Sequence, residues 1–182
     1  MLWSPKPGAQ LVRLSHTVLS NRVGCPCHNG LYFEAFKPKD FDYKTLKSKA
    51  ATVLETVWAG WTPIVRHEEL QSRIWYSNDN DFIREIPVFK EKDRYVLRWR
   101  GQIKPTENGD HTFQTRSDDG SLLYIDGQLI VDNDGLHGGQ TKSGTASLVS
   151  GQFHDITIAF FGTPPPLFLV LLLSFTLDFC VV

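Results

Sequence analysis

Residues 109–133 read Gly109-Asp110-His111-Thr112-Phe113-Gln114-Thr115-Arg116-Ser117-Asp118-Asp119-Gly120-Ser121-Leu122-Leu123-Tyr124-Ile125-Asp126-Gly127-Gln128-Leu129-Ile130-Val131-Asp132-Asn133. Residues 111–115 alternate around Phe113, the period of a half-buried strand. Farther on, two extended segments, 122–125 and 128–131, are separated only by Asp126-Gly127. That pair tolerates the positive φ angles a two-residue hairpin turn demands, so a hairpin with its tip there is predicted. Upstream, Asn108-Gly109 marks a turn. Before it, Tyr95, Leu97, Trp99 and Ile103 fall on one face, with Arg98, Arg100 and Gln102 on the other, which predicts a strand buried on one side only. Downstream, Ile156, Ile158 and Phe160 share a face opposite Thr157, Ala159 and Phe161, and residues 31–36 alternate similarly. A short helix in the first half is hinted at by Leu46, Ala50, Val53 or Leu54, and Val57, although β-branched residues dilute that signal. Short strands joined by Gly, Asn and Asp turns predict an all-β chain, an antiparallel, jelly-roll-like β-sandwich.

Bulk properties bound the rest. A chain of 182 residues with 41% hydrophobic and 12% aromatic content can bury one substantial core. We place that domain at 30–161, between a flexible leader, 1–29, and a proline break with an apolar tail, 162–182. Nineteen basic against twenty acidic residues leave a net charge of −1, which provides no electrostatic footprint for nucleic acid. The three cysteines include Cys25-Pro26-Cys27, which is neither a disulfide framework nor a zinc site of CxxC spacing. His28 follows them without a second Cys/His group nearby. The leader carries Lys6, Arg13 and Arg22 and no acidic residue, but it lacks the apolar run of a secretory signal; a transit peptide is the alternative. Residues 167–182 are almost wholly apolar, broken by Ser174, Thr176 and Asp178, and follow Pro164-Pro165-Pro166. The run falls just short of the roughly 18 to 20 residues that cross a bilayer, and Asp178 is costly in hydrocarbon. A closing strand, a membrane anchor, a removed anchor signal and a misread terminus all stay open.

The quoted stretch resembles the central signature of the protective-antigen-fourteen domain family. The resemblance extends through Asp134-Gly135-Leu136-His137-Gly138, through Gly30-Leu31-Tyr32-Phe33 and through residues 96–101, covering most of 30–161. It implies a β-sandwich found in toxins, glycosidases, flocculation adhesins and cell-surface proteins, commonly recognising carbohydrate. In the adhesin branch it further implies a cis peptide between the two aspartates and a calcium ion held by them, here Asp118 and Asp119. The family usually adds an Asn from the loop after the strand at 156–161. This chain has Phe161-Gly162-Thr163-Pro164 there, so one ligand is missing and affinity is expected near the weak, millimolar end.

Adjacent carboxylates in an extended loop normally point apart, so both reach one cation only where the backbone between them is unusual. Calcium suits such a pair because it accepts six to eight oxygens in flexible geometry. The plainer alternative is a solvated turn in which Asp118 caps its own backbone. Asp132, Asn133 and Asp134 form a second acidic loop beside the hairpin and complete the candidate ligand-binding set of Asp118, Asp119, Asp132, Asn133 and Asp134. Read blandly, it is a tight turn with Asn133 and Gly135 at positive φ; it is not an EF-hand, since the closing Glu is absent. His137 reads as a hydrogen-bonded loop residue, and Asn78-Asp79-Asn80-Asp81 as a solvated loop. Trp58, Trp61, Trp75 and Tyr76 suit core packing more than sugar stacking.

No GxSxG elbow, Walker loop, dinucleotide fingerprint or HExxH occurs. Glu34, Glu55, Glu68 and Glu69 could pair as in a glycosidase, but nothing in the sequence joins any two of them. The reading is therefore a non-catalytic, carbohydrate-associated binding module of a cell-surface or secreted protein, with calcium as candidate cofactor and a glycan or cell-wall polysaccharide as partner. Membrane association through the C-terminal run stays open. The alternative is a structural or protein-interaction β-sandwich without sugar or calcium.

Overall fold

In the computed structural model, the described residues are 31–37, 94–163, 168–173 and 177–180, with 10–11, 62–63, 65–71, 74–76, 80 and 84. The described residues form twelve strands: β1 (Gln10–Leu11), β2 (Leu31–Phe36), β3 (Val65–Gln71), β4 (Trp75–Tyr76), β5 (Tyr95–Pro105), β6 (Gly109–Asp118), β7 (Ser121–Ile125), β8 (Gln128–Asn133), β9 (Gln140–Leu148), β10 (His154–Gly162), β11 (Phe168–Leu173) and β12 (Leu177–Cys180). One sheet runs β3-β2-β5-β10-β7-β8, with β12 also on β5. The other runs β1-β11-β6-β9, with β4 also on β11. All pairings are antiparallel, as the turn chemistry predicts.

The hairpin forms where the two-residue turn requires it. Ile125 pairs with Gln128, and Asp126 and Gly127 take φ of 48° and 77°, the paired positive values of the favoured hairpin turn. Alternation along β6 buries His111, Phe113, Thr115 and Ser117. Between the sheets, Phe33, Trp99, Tyr76, Phe113, Leu123, Val131, Ile158 and Phe160 form a continuous core. Trp99 lies 5.2 Å from Phe33 and 6.4 Å from Tyr76, centroid to centroid. Each such ring contributes roughly 2 kcal/mol by leaving water. Where β8 and β9 pass each other, a Cβ on Gly144 would stand 1.8 Å from the Ile130 carbonyl oxygen, so only glycine fits.

The expectation that β5 is buried on one face alone needs correction. Phe36, Val96, Leu122, Ala159 and Phe161 are buried and lie on the parity opposite the core. Arg98 is only 6% exposed. The charge is tolerated there because Glu34 stands opposite Arg98 in the β2–β5 register and its Oε2 accepts from Arg98 Nε at 2.9 Å. Phe36 lies under the guanidinium at 5.5 Å. Arg100 stays partly exposed and reaches the same Glu34 oxygen at 3.4 Å. A buried charge persists when paired and hydrogen-bonded. Glu34 is thus a partner in an ion pair, not a candidate catalytic acid.

The apolar C-terminal run provides strands. Residues 168–173 pair with 113–118 of β6, and 177–180 pair with 102–105 of β5. Inside the stretch read as leader, Gln10 and Leu11 pair with Leu173 and Leu172. The helix expected over 46–57, the Cys25-Pro26-Cys27-His28 group, Trp58 and Trp61 lie outside the described residues. Asn80 is exposed and helical instead of lying in a loop. Among the described residues, no helix is long and apolar enough to cross a membrane.

Candidate functional site

β6 ends at Asp118 and β7 begins at Ser121, so the chain reverses within Asp119-Gly120. The Asp118–Asp119 peptide is cis, the geometry the resemblance implies. Crowding explains the glycine that follows. A Cβ on Gly120 would meet Phe161 Cε1 at 2.4 Å and the Gly135 backbone nitrogen and oxygen at 2.9 and 3.0 Å. The Gly120 carbonyl accepts from Phe161 N–H at 3.0 Å. The turn is therefore wedged between the end of β10 and the β8–β9 loop, residues 134–139.

The two carboxylates have different surroundings. Asp119 is buried, and its Oδ2 accepts from Thr163 N–H at 2.9 Å and from Thr163 Oγ1–H at 2.6 Å. Asp118 is held above the ordinary carboxyl range, first by burial and then by the negative charge of Asp119. The opposing influences are His137 and a hydrogen bond from the Gly139 N–H. Two like charges therefore press on one another at this end of the sandwich, under the β8–β9 loop.

That loop is fixed from within. His137 Nε2 lies 3.0 Å from the Asn133 carbonyl oxygen, and Nδ1 lies 2.9 Å from that of Gly138. Gly135 takes a φ of 108°, as expected for the loop's tight turn. Asn133 does not share it: it is the last residue of β8, paired with Ser121 and buried. Its Nδ2 donates to Ser117 Oγ at 2.8 Å and to the Gln140 carbonyl at 3.1 Å. Ser117 Oγ lies 2.8 Å from Ser121 Oγ, which donates to Thr115 Oγ1 at 3.0 Å. These four polar side chains form a buried cluster directly behind the Asp118–Asp119 turn.

The structure brings Asp118, Asp119 and Asn133 to this end and orients the remaining two candidates differently. The charges of Asp132 and Asp134 are felt at Tyr124, whose hydroxyl is raised by burial and then by those two carboxylates. Leu136, in the loop, is 53% exposed and follows Gly135, whose backbone packs against Gly120. Among the described residues, no group of three or more His, Cys, Asp and Glu is placed to hold a metal ion. Sequence reasoning missed Thr163, the Gly139 amide and the Thr115–Ser117–Ser121 cluster. Thr115 and Ser117 occupy inward positions of the alternating strand, and that polar interruption was the available signal.

The PA14 domain family model matches residues 72–178. Over 70 residues the chain is 33% identical to the anti-sigma-I factor RsgI3 of Acetivibrio thermocellus, a match covering 38% of this chain and 11% of that protein. The chain thus spans only a small part of the curated relative it matches. Among solved structures, the PA14 sugar-binding domain from an RTX adhesin superposes with a TM-score of 0.65 at 16% identity, covering 83% of this chain and 94% of that one. The epithelial adhesin 6 A domain of Candida glabrata, solved in complex with Galβ1-3GlcNAc, gives 0.57 at 15% identity, covering 87% and 89%. An anti-sigma factor domain-containing protein from Clostridium clariflavum gives 0.58 at 21%, covering 85% of this chain and 46% of that one. At these identities the structural likenesses carry the fold alone.

Proposed function

The chain belongs to the PA14 domain family, and on that footing we propose that it is a non-catalytic carbohydrate-binding module of an extracellular or cell-surface protein. Its site is the end of the sandwich formed by Asp118, Asp119 and the β8–β9 loop. The observation that carries the reading is the Asp118–Asp119 turn, where the charge of Asp119 raises Asp118, packed through Gly120 against a loop that also exposes Leu136. Sugar rings offer vicinal hydroxyls to charged oxygens and C–H faces to apolar side chains, and this end supplies both partners. Two adhesin domains of this fold support the assignment, one described as sugar-binding and one solved with a disaccharide. A cell-wall polysaccharide is the glycan class we favour.

Calcium is the cofactor proposed for this site, held by Asp118 and Asp119. The donor chemistry fits a hard, oxygen-preferring cation, and a divalent ion relieves the like-charge pressure that raises Asp118. When bound, it would supply a positive centre for sugar hydroxyls. Its affinity is set low by the chain itself. The loop after β10 lacks the Asn that the resemblance to calcium-dependent adhesins implies, and its Thr163 engages Asp119 Oδ2 with two hydrogen bonds. We place the dissociation constant on the order of millimolar, the range of weak extracellular modules. The apolar run after Pro166 is assigned to the fold, where its strands pair with both sheets, in preference to a bilayer.

A second reading, a protein-interaction or structural module without sugar, is favoured by the likeness to anti-sigma factors. A glycan array probed with and without calcium separates the two, alongside calorimetric calcium titration. Retention on plant or microbial polysaccharides, enhanced by millimolar calcium, is expected. No glycan retained under either condition would sink the carbohydrate reading, and submicromolar calcium binding would sink the missing-ligand argument.

A further inference from the structure

The two loops that make this site are widely separated in sequence, and one buried side chain joins them. We infer that Asn133 is a positioning residue: its carboxamide locks the β8–β9 loop onto the Asp118–Asp119 turn, so ligand affinity depends on it without direct contact. The inference rests on the proposed site and concerns how that site is held.

The geometry is specific. Asn133 is 1% exposed. One amide N–H reaches Ser117 Oγ, immediately before Asp118; the other reaches the Gln140 carbonyl, immediately after Gly139. The orientation of the amide is fixed chemically: the Gln140 carbonyl can only accept, so the NH2 end must face it. Among the described residues, Asn133 Oδ1 accepts no hydrogen bond; the flipped amide is excluded because it would set Oδ1 against the Gln140 carbonyl oxygen. The Asn133 carbonyl also receives the His137 ring. Both ends of the loop, and its central histidine, are therefore referred to one residue. What the loop delivers to the site is the Gly139 N–H on Asp118 and the His137 ring beside it. Loss of the Asn133 carboxamide frees Ser117 and Gln140 and so displaces the Gly139 N–H from Asp118, whereas the His137 contact is to the main-chain carbonyl of residue 133 and is kept.

A structural role alone predicts a general loss of stability. A positioning role predicts a local one, so the test reads both. Amide resonances of the full chain are followed by NMR while calcium chloride is added, and amide hydrogen exchange is measured in its absence. Asn133→Ala is expected to weaken calcium binding at least tenfold and to speed exchange at Gly139 and Gln140, leaving β5 and β10 amides as protected as in the parent. Ser117→Ala, which removes one of the two acceptors, is expected to do the same about threefold and remains informative should Asn133→Ala fail to fold. Loop exchange unchanged in both variants, or loop and core exchange rising together, overturns the inference. If the parent binds no calcium, the proposed cofactor falls, while faster Gly139 and Gln140 exchange still supports the positioning role and unchanged exchange still refutes it.

Discussion

Gly120→Ala tests how closely the acidic turn and the β8–β9 loop are pressed together. The added methyl meets Phe161 Cε1 at 2.4 Å and two Gly135 backbone atoms at 2.9 and 3.0 Å. Phe161 is fully buried, and the other two atoms are main chain, so no flexible side-chain end can move aside. Overpacking of a closed site costs typically 1–3 kcal/mol, and with backbone on one side we take the upper value, about 3 kcal/mol. For a domain of this size that lowers the Tm by roughly 6–12 °C. Urea denaturation at neutral pH, with thermal melting beside it, measures both quantities. Gly138→Ala is the control: nothing lies within 4 Å of its Cβ, so its stability should stay within about 0.5 kcal/mol of the parent. Gly120→Ala matching that control would refute the wedged arrangement of turn and loop.

Glu34→Gln removes a negative partner of the buried Arg98 and is expected to cost about 3–5 kcal/mol, whereas a paired Glu34→Met, Arg98→Met replacement recovers most of it; chemical denaturation of the two variants and the parent checks this, and a single-variant loss below about 1 kcal/mol contradicts it. For pH, the direction follows from Asp118, whose folded-state carboxyl is raised by burial and by Asp119. A raised carboxyl stabilises the fold fully below its unfolded value of 3.8, and that contribution is lost as the pH rises through the higher folded value. Asp118→Asn should therefore be at least as stable as the parent at neutral pH, the advantage shrinking as the pH falls from the raised folded value toward 3.8, and calcium affinity should fall through the same window; an Asp118→Asn variant less stable at neutral pH than at acid pH, relative to the parent, would reverse the sign.

The parts of the fold legible in the sequence are those set by local chemistry. Asp126-Gly127 specifies its turn because few other pairs accept two positive φ values, and the alternation of Tyr95, Leu97 and Trp99 specifies which face is inward. What lay beyond reach depends on contacts distant in sequence. Arg98 looks like a solvent-facing residue until Glu34, 64 positions away, is seen opposite it. The same holds at the site. The Asp118-Asp119-Gly120 motif announced itself, but nothing in residues 162–163 announced that Thr163 engages Asp119 from 44 positions away. In the sequence Asn133 stands between Asp132 and Asp134 as part of one acidic loop. Strand parity separates them: Asn133 faces inward to Ser117, while Asp132 is exposed and acts with Asp134 on Tyr124.

These contacts bear on what kind of site this is. The donors that meet the two carboxylates, the Thr163 N–H and hydroxyl on Asp119 and the Gly139 N–H on Asp118, come from the chain itself. The loop above them is held by Asn133 and by the close approach of Gly135 to Gly120. Its geometry is thus supported by packing and by neutral hydrogen bonds, each contributing about 1 kcal/mol. A cation entering such a site does not have to order the loops, which favours binding. It does have to compete with hydrogen bonds already made to the same oxygens, which opposes it. Asp119 Oδ2 already carries two of those bonds, both from Thr163, which fits the weak, millimolar affinity proposed for calcium. Preorganisation of this sort suits a ligand that arrives with its own hydroxyl groups and exchanges one set of hydrogen bonds for another, as a polysaccharide does.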